Sequence, residues 1–117
     1  MTVGGAVMDR SPAFPLTWRS DLAGDTALVV VEGDLDRLTT PALRDHLEWL
    51  IAWVPGRLVL DMSGVTFADV GAHGMLTDIV HNADDARCDV IVAVPSPPMR
   101  RLLDVLGTPV GVAVDHW

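Results

Sequence analysis

The 117 residues carry 16 acidic against 8 basic side chains, a formal charge of −8, and are 50% hydrophobic and 21% charged. That balance suits one domain with a real core, holds no apolar run near the roughly 18 residues a membrane span needs, and disfavours direct nucleic-acid binding, which depends on basic side chains neutralising phosphates. The single cysteine, Cys88, excludes an internal disulfide and a multi-cysteine metal site.

Residues 1–15 contain Gly4, Gly5, Pro12 and Pro15 without periodicity and read as a loose leader, leaving a single domain over 16–117. No charged start, apolar stretch and small-residue cleavage site open the chain, so nothing directs it to export and a cytoplasmic address follows. A first strand is expected around 16–19, then a turn at Leu22-Ala23-Gly24-Asp25 and a strongly buried strand over 27–31 that ends at Gly33-Asp34. Thr40-Pro41 reads as a helix start, with a hydroxyl to cap and a proline where no N–H is needed. Leu43, Leu47, Leu50 and Val54 form one apolar stripe on that helix, and Pro55-Gly56 stops it.

A short strand over 58–62 follows, then a helix over 72–86 with Met75, Leu76, Ile79, Val80 and Ala83 at helical spacing, and a strand over 90–94. Pro97-Pro98 opens a third helix carrying Met99, Leu102, Leu103 and Leu106, stopped by Gly107, and a strand over 110–114 closes the chain. Alternating strands and helices, with strands apolar at consecutive positions, predict an α/β fold built on a largely parallel sheet covered by helices.

Residue chemistry narrows the function classes. Cys88, at the start of an apolar strand, reads as a small buried hydrophobe rather than a reactive thiol. Asp34 and Asp36 flank Leu35 on a turn, without the third ligand at fixed spacing that a metal site needs. His46, His73, His81 and His116 show no ligand spacing, and no metal is expected. No nucleophile elbow, Walker loop, dinucleotide-binding glycine pattern or Cys–His–acid order appears, so neither enzyme activity nor a cofactor is expected. Trp49 and Trp53, four apart beside the Leu43 stripe, read as packing at its edge; the alternative is an aromatic patch for a second protein or a self-contact that would make a homodimer.

Two segments carry a resemblance: Gly33-Asp34-Leu35-Asp36 with Thr39, Pro41, Leu43-Arg44 and Leu47, and then the run from Leu58 through Asp61-Met62-Ser63-Gly64-Val65-Thr66-Phe67-Ala68-Asp69. Together they resemble the STAS domain of anti-sigma factor antagonists, over roughly residues 17–114. The resemblance implies a small, mixed, mostly parallel sheet with helices on one side. It also implies an ATP-binding anti-sigma kinase as partner, bound through Asp34, Asp36, Phe67, Asp69, Val70, Gly71, Ala72 and His73, so that a sigma factor is released without membrane insertion or direct nucleic-acid contact.

In such proteins the kinase phosphorylates a serine in an Asp-Ser-Ser-Gly turn, and the added charge switches off the contact. Here the turn reads Asp69-Val70-Gly71-Ala72, with Gly71 at the acceptor position and no hydroxyl on either middle residue. The resemblance therefore implies a regulator that is not phosphorylated on its own turn, with Gly71 admitting the close approach of another chain and Asp69 capping the helix. Some STAS proteins serve instead as accessory subunits of lipid or organic-solvent transport ATPases, which is the alternative function.

Overall fold

A hairpin starts the fold. In the computed structural model, which describes residues 15–53 and 56–115, β1 (Leu16–Ala23) and β2 (Thr26–Leu35) pair antiparallel around Gly24-Asp25. Gly24 takes φ +62°, which glycine adopts without the steric cost of a side chain. Both strands outrun the expected 16–19 and 27–31, because pairing continues through every position from Leu16↔Gly33 to Ala23↔Thr26. Gly33 lies inside β2 rather than ending it. Its φ is +110°, and a Cβ there would collide with the backbone carbonyl of Pro15, so the close crossing of the two chains requires glycine.

The chain then alternates: α1 (Thr40–Trp53), β3 (Arg57–Ala68), α2 (Val70–Asp85), β4 (Asp89–Ala93), α3 (Pro97–Leu106) and β5 (Val112–Asp115). The strands lie in the order β1-β2-β3-β4-β5, with β2 to β5 mutually parallel and β1 antiparallel at one edge. The expected mostly parallel mixed sheet is thus present.

Burial along the strands alternates, as the expected helices on one side of the sheet require. Ala27, Val29, Val31, Leu58, Leu60 and Met62 are buried, whereas the intervening Leu28 is exposed and Val30 and Val59 are half-buried. Period-two alternation of this kind marks a sheet with one covered face. On that face α1 contributes Leu43, Leu47, Leu50 and Ile51, and α2 contributes Ala72, Met75, Leu76, Ile79 and Ala83. Val54, Pro55, His116 and residues 1–14 of the expected leader lie outside the described residues.

β3 is the largest departure. The expected strand over 58–62 runs on to Ala68, because β2 continues beside it past two register shifts as far as Leu35↔Ala68. β4 accompanies β3 only from Arg57 to Asp61. The far end of β3 therefore projects beyond β4, and α3 packs against it. Ser96 caps α3 by accepting from the Met99 amide at 3.4 Å, and Gly107 ends it at φ +86°. β5 starts at Val112 rather than 110, leaving Val110 exposed. Cys88 is buried, and burial followed by the neighbouring Asp89 charge holds its thiol above the ordinary range, consistent with an inert core residue.

The Asp69 turn and its candidate partner surface

The chain leaves β3 at Ala68 and turns into α2 at once. Asp69 is the N-cap: its carboxylate accepts from the Gly71 amide at 2.8 Å, satisfying one of the donors that a helix start leaves free, and the negative charge suits the positive end of the helix dipole. Its own amide donates to the Leu35 carbonyl at 3.1 Å, which fastens the turn to the end of β2. Helix α2 thus begins at Val70, two residues ahead of the expected 72, and Val70 and Gly71 sit in its first turn.

The β2–α1 connection lies against this turn and is internally tied. The Asp36 carboxylate accepts from the amides of Leu38 at 2.8 Å and Thr39 at 3.0 Å, an Asx-type turn. The Thr39 hydroxyl accepts from the Asp36 amide at 2.9 Å and donates to the Asp34 carbonyl at 2.8 Å. Thr39, not the expected Thr40, is therefore the hydroxyl that organises the start of α1. The Asp34 carboxylate accepts from the Thr66 hydroxyl at 2.8 Å, joining the connection to β3.

Gly71 faces this loop. A Cβ at Gly71 would stand 2.9 Å from the Arg37 amide nitrogen and 3.0 Å from the Asp36 carbonyl carbon, closer than a side chain tolerates without movement of the backbone. The close neighbour of Gly71 within the chain is the protein's own β2–α1 loop.

The structure brings Asp34, Asp36, Phe67, Asp69, Val70, Gly71 and His73 to one end of the sheet. Ala72 is separated from them, since its side chain is buried in the core and cannot touch a partner. Phe67 and Val70 are exposed. The His73 ring donates from Nε2–H to the Gly107 carbonyl at 2.9 Å, tying the first turns of α2 to the end of α3.

Sequence reasoning missed Leu38, Arg101, Leu102 and Val105. Leu38 is exposed beside the turn, and the other three form one wall of a groove of about 400 Å³ whose opposite wall is Thr66, Phe67 and Ala68. A signal was available in α3: Met99 and Leu103 make one inward face, while Leu102, Val105 and Leu106 give the helix a second apolar face that a core alone does not explain.

The family described as Mlab, STAS domain matches residues 18–109. The chain belongs to this STAS domain family. No curated protein matches the sequence significantly. Among solved structures, an anti-sigma factor antagonist from Mycobacterium paratuberculosis is 26% identical with a TM-score of 0.68, the match covering 84% of this chain and 83% of that one. The Bacillus anti-sigma factor antagonist SpoIIAA in its unphosphorylated form is 15% identical with a TM-score of 0.66, over 83% of this chain and 86% of that one. The murine anion transporter Slc26a9 matches with a TM-score of 0.60 at 16% identity, over 83% of this chain and 17% of the transporter. The last two likenesses establish a shared STAS fold. Among the described residues, no helix is long and apolar enough to cross a membrane.

Proposed function

We propose that this STAS protein is a regulatory binding module of the cytoplasm that engages an ATP-binding anti-sigma factor through its Asp69 end and thereby releases a sigma factor. It acts by binding rather than by catalysis. The observation that carries this reading is the 26% identity, over most of both chains, with the mycobacterial anti-sigma factor antagonist. The exposed apolar side chains around the tied turn, Leu38, Phe67 and Val70, add a surface of the kind that protein partners cover.

In this reading the turn carries no phosphate switch. The acceptor position is Gly71, and the β2–α1 loop occupies the space a serine side chain would need. Control then rests on the amount of the protein or on its partner. A second reading, an accessory subunit of a lipid or organic-solvent transport ATPase, draws support from the same missing hydroxyl and from the STAS fold within a membrane transporter.

Affinity purification from the source cells after gentle cross-linking, with partners identified by mass spectrometry, distinguishes the two. Recovery of an anti-sigma factor is the expected result; recovery of a transport ATPase without one contradicts it. Incubating the chain with that partner and ATP should leave its intact mass unchanged, and a gain of one phosphoryl group would overturn the switch-free reading.

A further inference from the structure

β1 lies at the edge of the sheet, and among the described residues β2 is its one strand neighbour. The register fixes which of its backbone groups face away from β2. The Asp34 amide donates to the Pro15 carbonyl at 3.1 Å, which makes Pro15 and Asp34 a hydrogen-bonded pair one step beyond Leu16↔Gly33. Such pairs alternate along antiparallel strands, so Thr17, Arg19, Asp21 and Ala23 turn their amides and carbonyls to β2, whereas Ser20 and Leu22 turn theirs outward. Edges are commonly blunted by a proline, a bulge or charged side chains. The eight residues of β1 contain no proline and no register shift, and their charges are Arg19 and Asp21, both exposed and opposite in sign. Neither is in an ion pair among the described residues.

These two charges discriminate between ways of adding a strand. Two copies of β1 that pair antiparallel about a two-fold axis set outward-turned residues opposite one another. Centred on Arg19, the pair places guanidinium against guanidinium; centred on Asp21, carboxylate against carboxylate. Centring it on Trp18 or Leu22 sets Asp21 against Pro15 or Ala23 and shortens the overlap. Centred on Ser20, it sets Arg19 of each copy directly opposite Asp21 of the other, at the closer, non-hydrogen-bonded positions where opposite charges stabilise and like charges destabilise. Glu32, the charge on β2 nearest to this pair, stands opposite Thr17 within the chain and one strand farther from the second copy. On the helix-covered side, Leu22 is 41% exposed, and Trp49, 47% exposed, stacks on His46 beside Ser20. That apolar area flanks the same edge.

We propose that β1 is a self-association edge: a second copy of this chain pairs with it antiparallel, centred on Ser20, and joins the two sheets into one. Arg19 and Asp21 select the register, backbone hydrogen bonds hold it, and Leu22 and Trp49 supply apolar area. The interface uses none of the residues at the Asp69 end and is independent of the partner reading. It is small, so the dimer should be concentration-dependent, with a dissociation constant on the order of 10–100 μM.

Sedimentation of the full chain from about 1 to 500 μM tests this, with Arg19→Asp and Asp21→Arg alone and mixed in equal amounts. Both positions are exposed, so each variant should fold. The parent should pass from monomer to dimer across that range. Each substitution should raise the dissociation constant about tenfold, because it sets like charges opposite one another at both ends of the pair. The mixture should regain the parent's affinity, since every position in a mixed pair again sets a cation against a carboxylate. A parent that stays monomeric overturns the proposal, as does a dimer that neither substitution weakens. The register is read separately with Thr17→Cys and Ala23→Cys, positions that the Ser20-centred pair sets opposite one another. Mild oxidation should cross-link the mixed variants and neither alone; cross-linking of Thr17→Cys with itself overturns the register.

Discussion

Two surfaces of this molecule expose large apolar side chains, and they are built differently. From β1 onto α1, the rings of Trp18, His46, Trp49 and Trp53 form a ladder with successive centroids 5.8, 6.2 and 6.1 Å apart. Its inner end is fixed, with Trp18 buried and His46 sharing a 2.6 Å hydrogen bond with Ser20, while Trp49 and Trp53 are 47% and 69% exposed. Packing at the edge of the Leu43 stripe, the expectation for these tryptophans, is corrected: their rings lean on one another, tilted by 48°, and are exposed outside the core. At the Asp69 end the exposed residues stand on backbone tied by side-chain carboxylates and a hydroxyl. Exposure alone makes the surfaces look alike, and both stand on ordered backbone; what separates them is composition, ring against ring along α1 and single apolar side chains among carboxylates at the Asp69 end.

The comparison predicts that substitutions under the turn cost far more than those on the ladder. Leu35→Ala should destabilise by about 2–5 kcal/mol in urea unfolding, since Leu35 is fully buried where β2 meets the turn. Gly71→Ser should cost about 1–3 kcal/mol, as the new Cβ must displace the Asp36–Arg37 backbone; an unchanged midpoint would mean that the loop yields freely. Asp69→Ala removes the cap of α2 and should cost about 0.5–2 kcal/mol, with faster amide exchange at Gly71 as its local signature. Trp53→Ala, on the outer rung, should fall within about 0.5 kcal/mol of the parent.

The ladder carries a pH dependence at His46. Burial holds His46 below its ordinary value of 6.5, so the folded chain favours the neutral ring. As pH falls below about 6.5 the unfolded chain takes up the proton first; the His46 contribution is fully present above that value and declines until the folded-state pKa is passed. His46→Gln should flatten that part of the stability profile, and an unaltered slope would place the dependence elsewhere.

Much of this architecture was legible in the sequence. The stripe at Leu43, Leu47 and Leu50 and the Pro97-to-Gly107 punctuation predicted α1 and α3, because local spacing and end signals act within single elements. β3 was underread by six residues at its far end, since Ser63 and Gly64 look like a strand stop until β2 is seen running beside them to Ala68. Of the candidate site, the acidic turn residues and Phe67 were readable from the motif, and Ala72 was misplaced because helical phase puts it inward once α2 starts at Val70. The groove was not readable, since it joins β3 to α3 across about thirty residues through tertiary packing. That a loop fills the space at Gly71 likewise depends on register between distant strands.

The central claim is that the Asp69 end, and not the tryptophan ladder, meets the partner. Affinity purification with the parent chain, Val70→Asp and Trp53→Ala in parallel tests it most directly, because both substituted positions are exposed and both variants should fold. The account predicts that one partner is recovered by the parent and by Trp53→Ala and is lost with Val70→Asp. Recovery by Val70→Asp with loss by Trp53→Ala would contradict it.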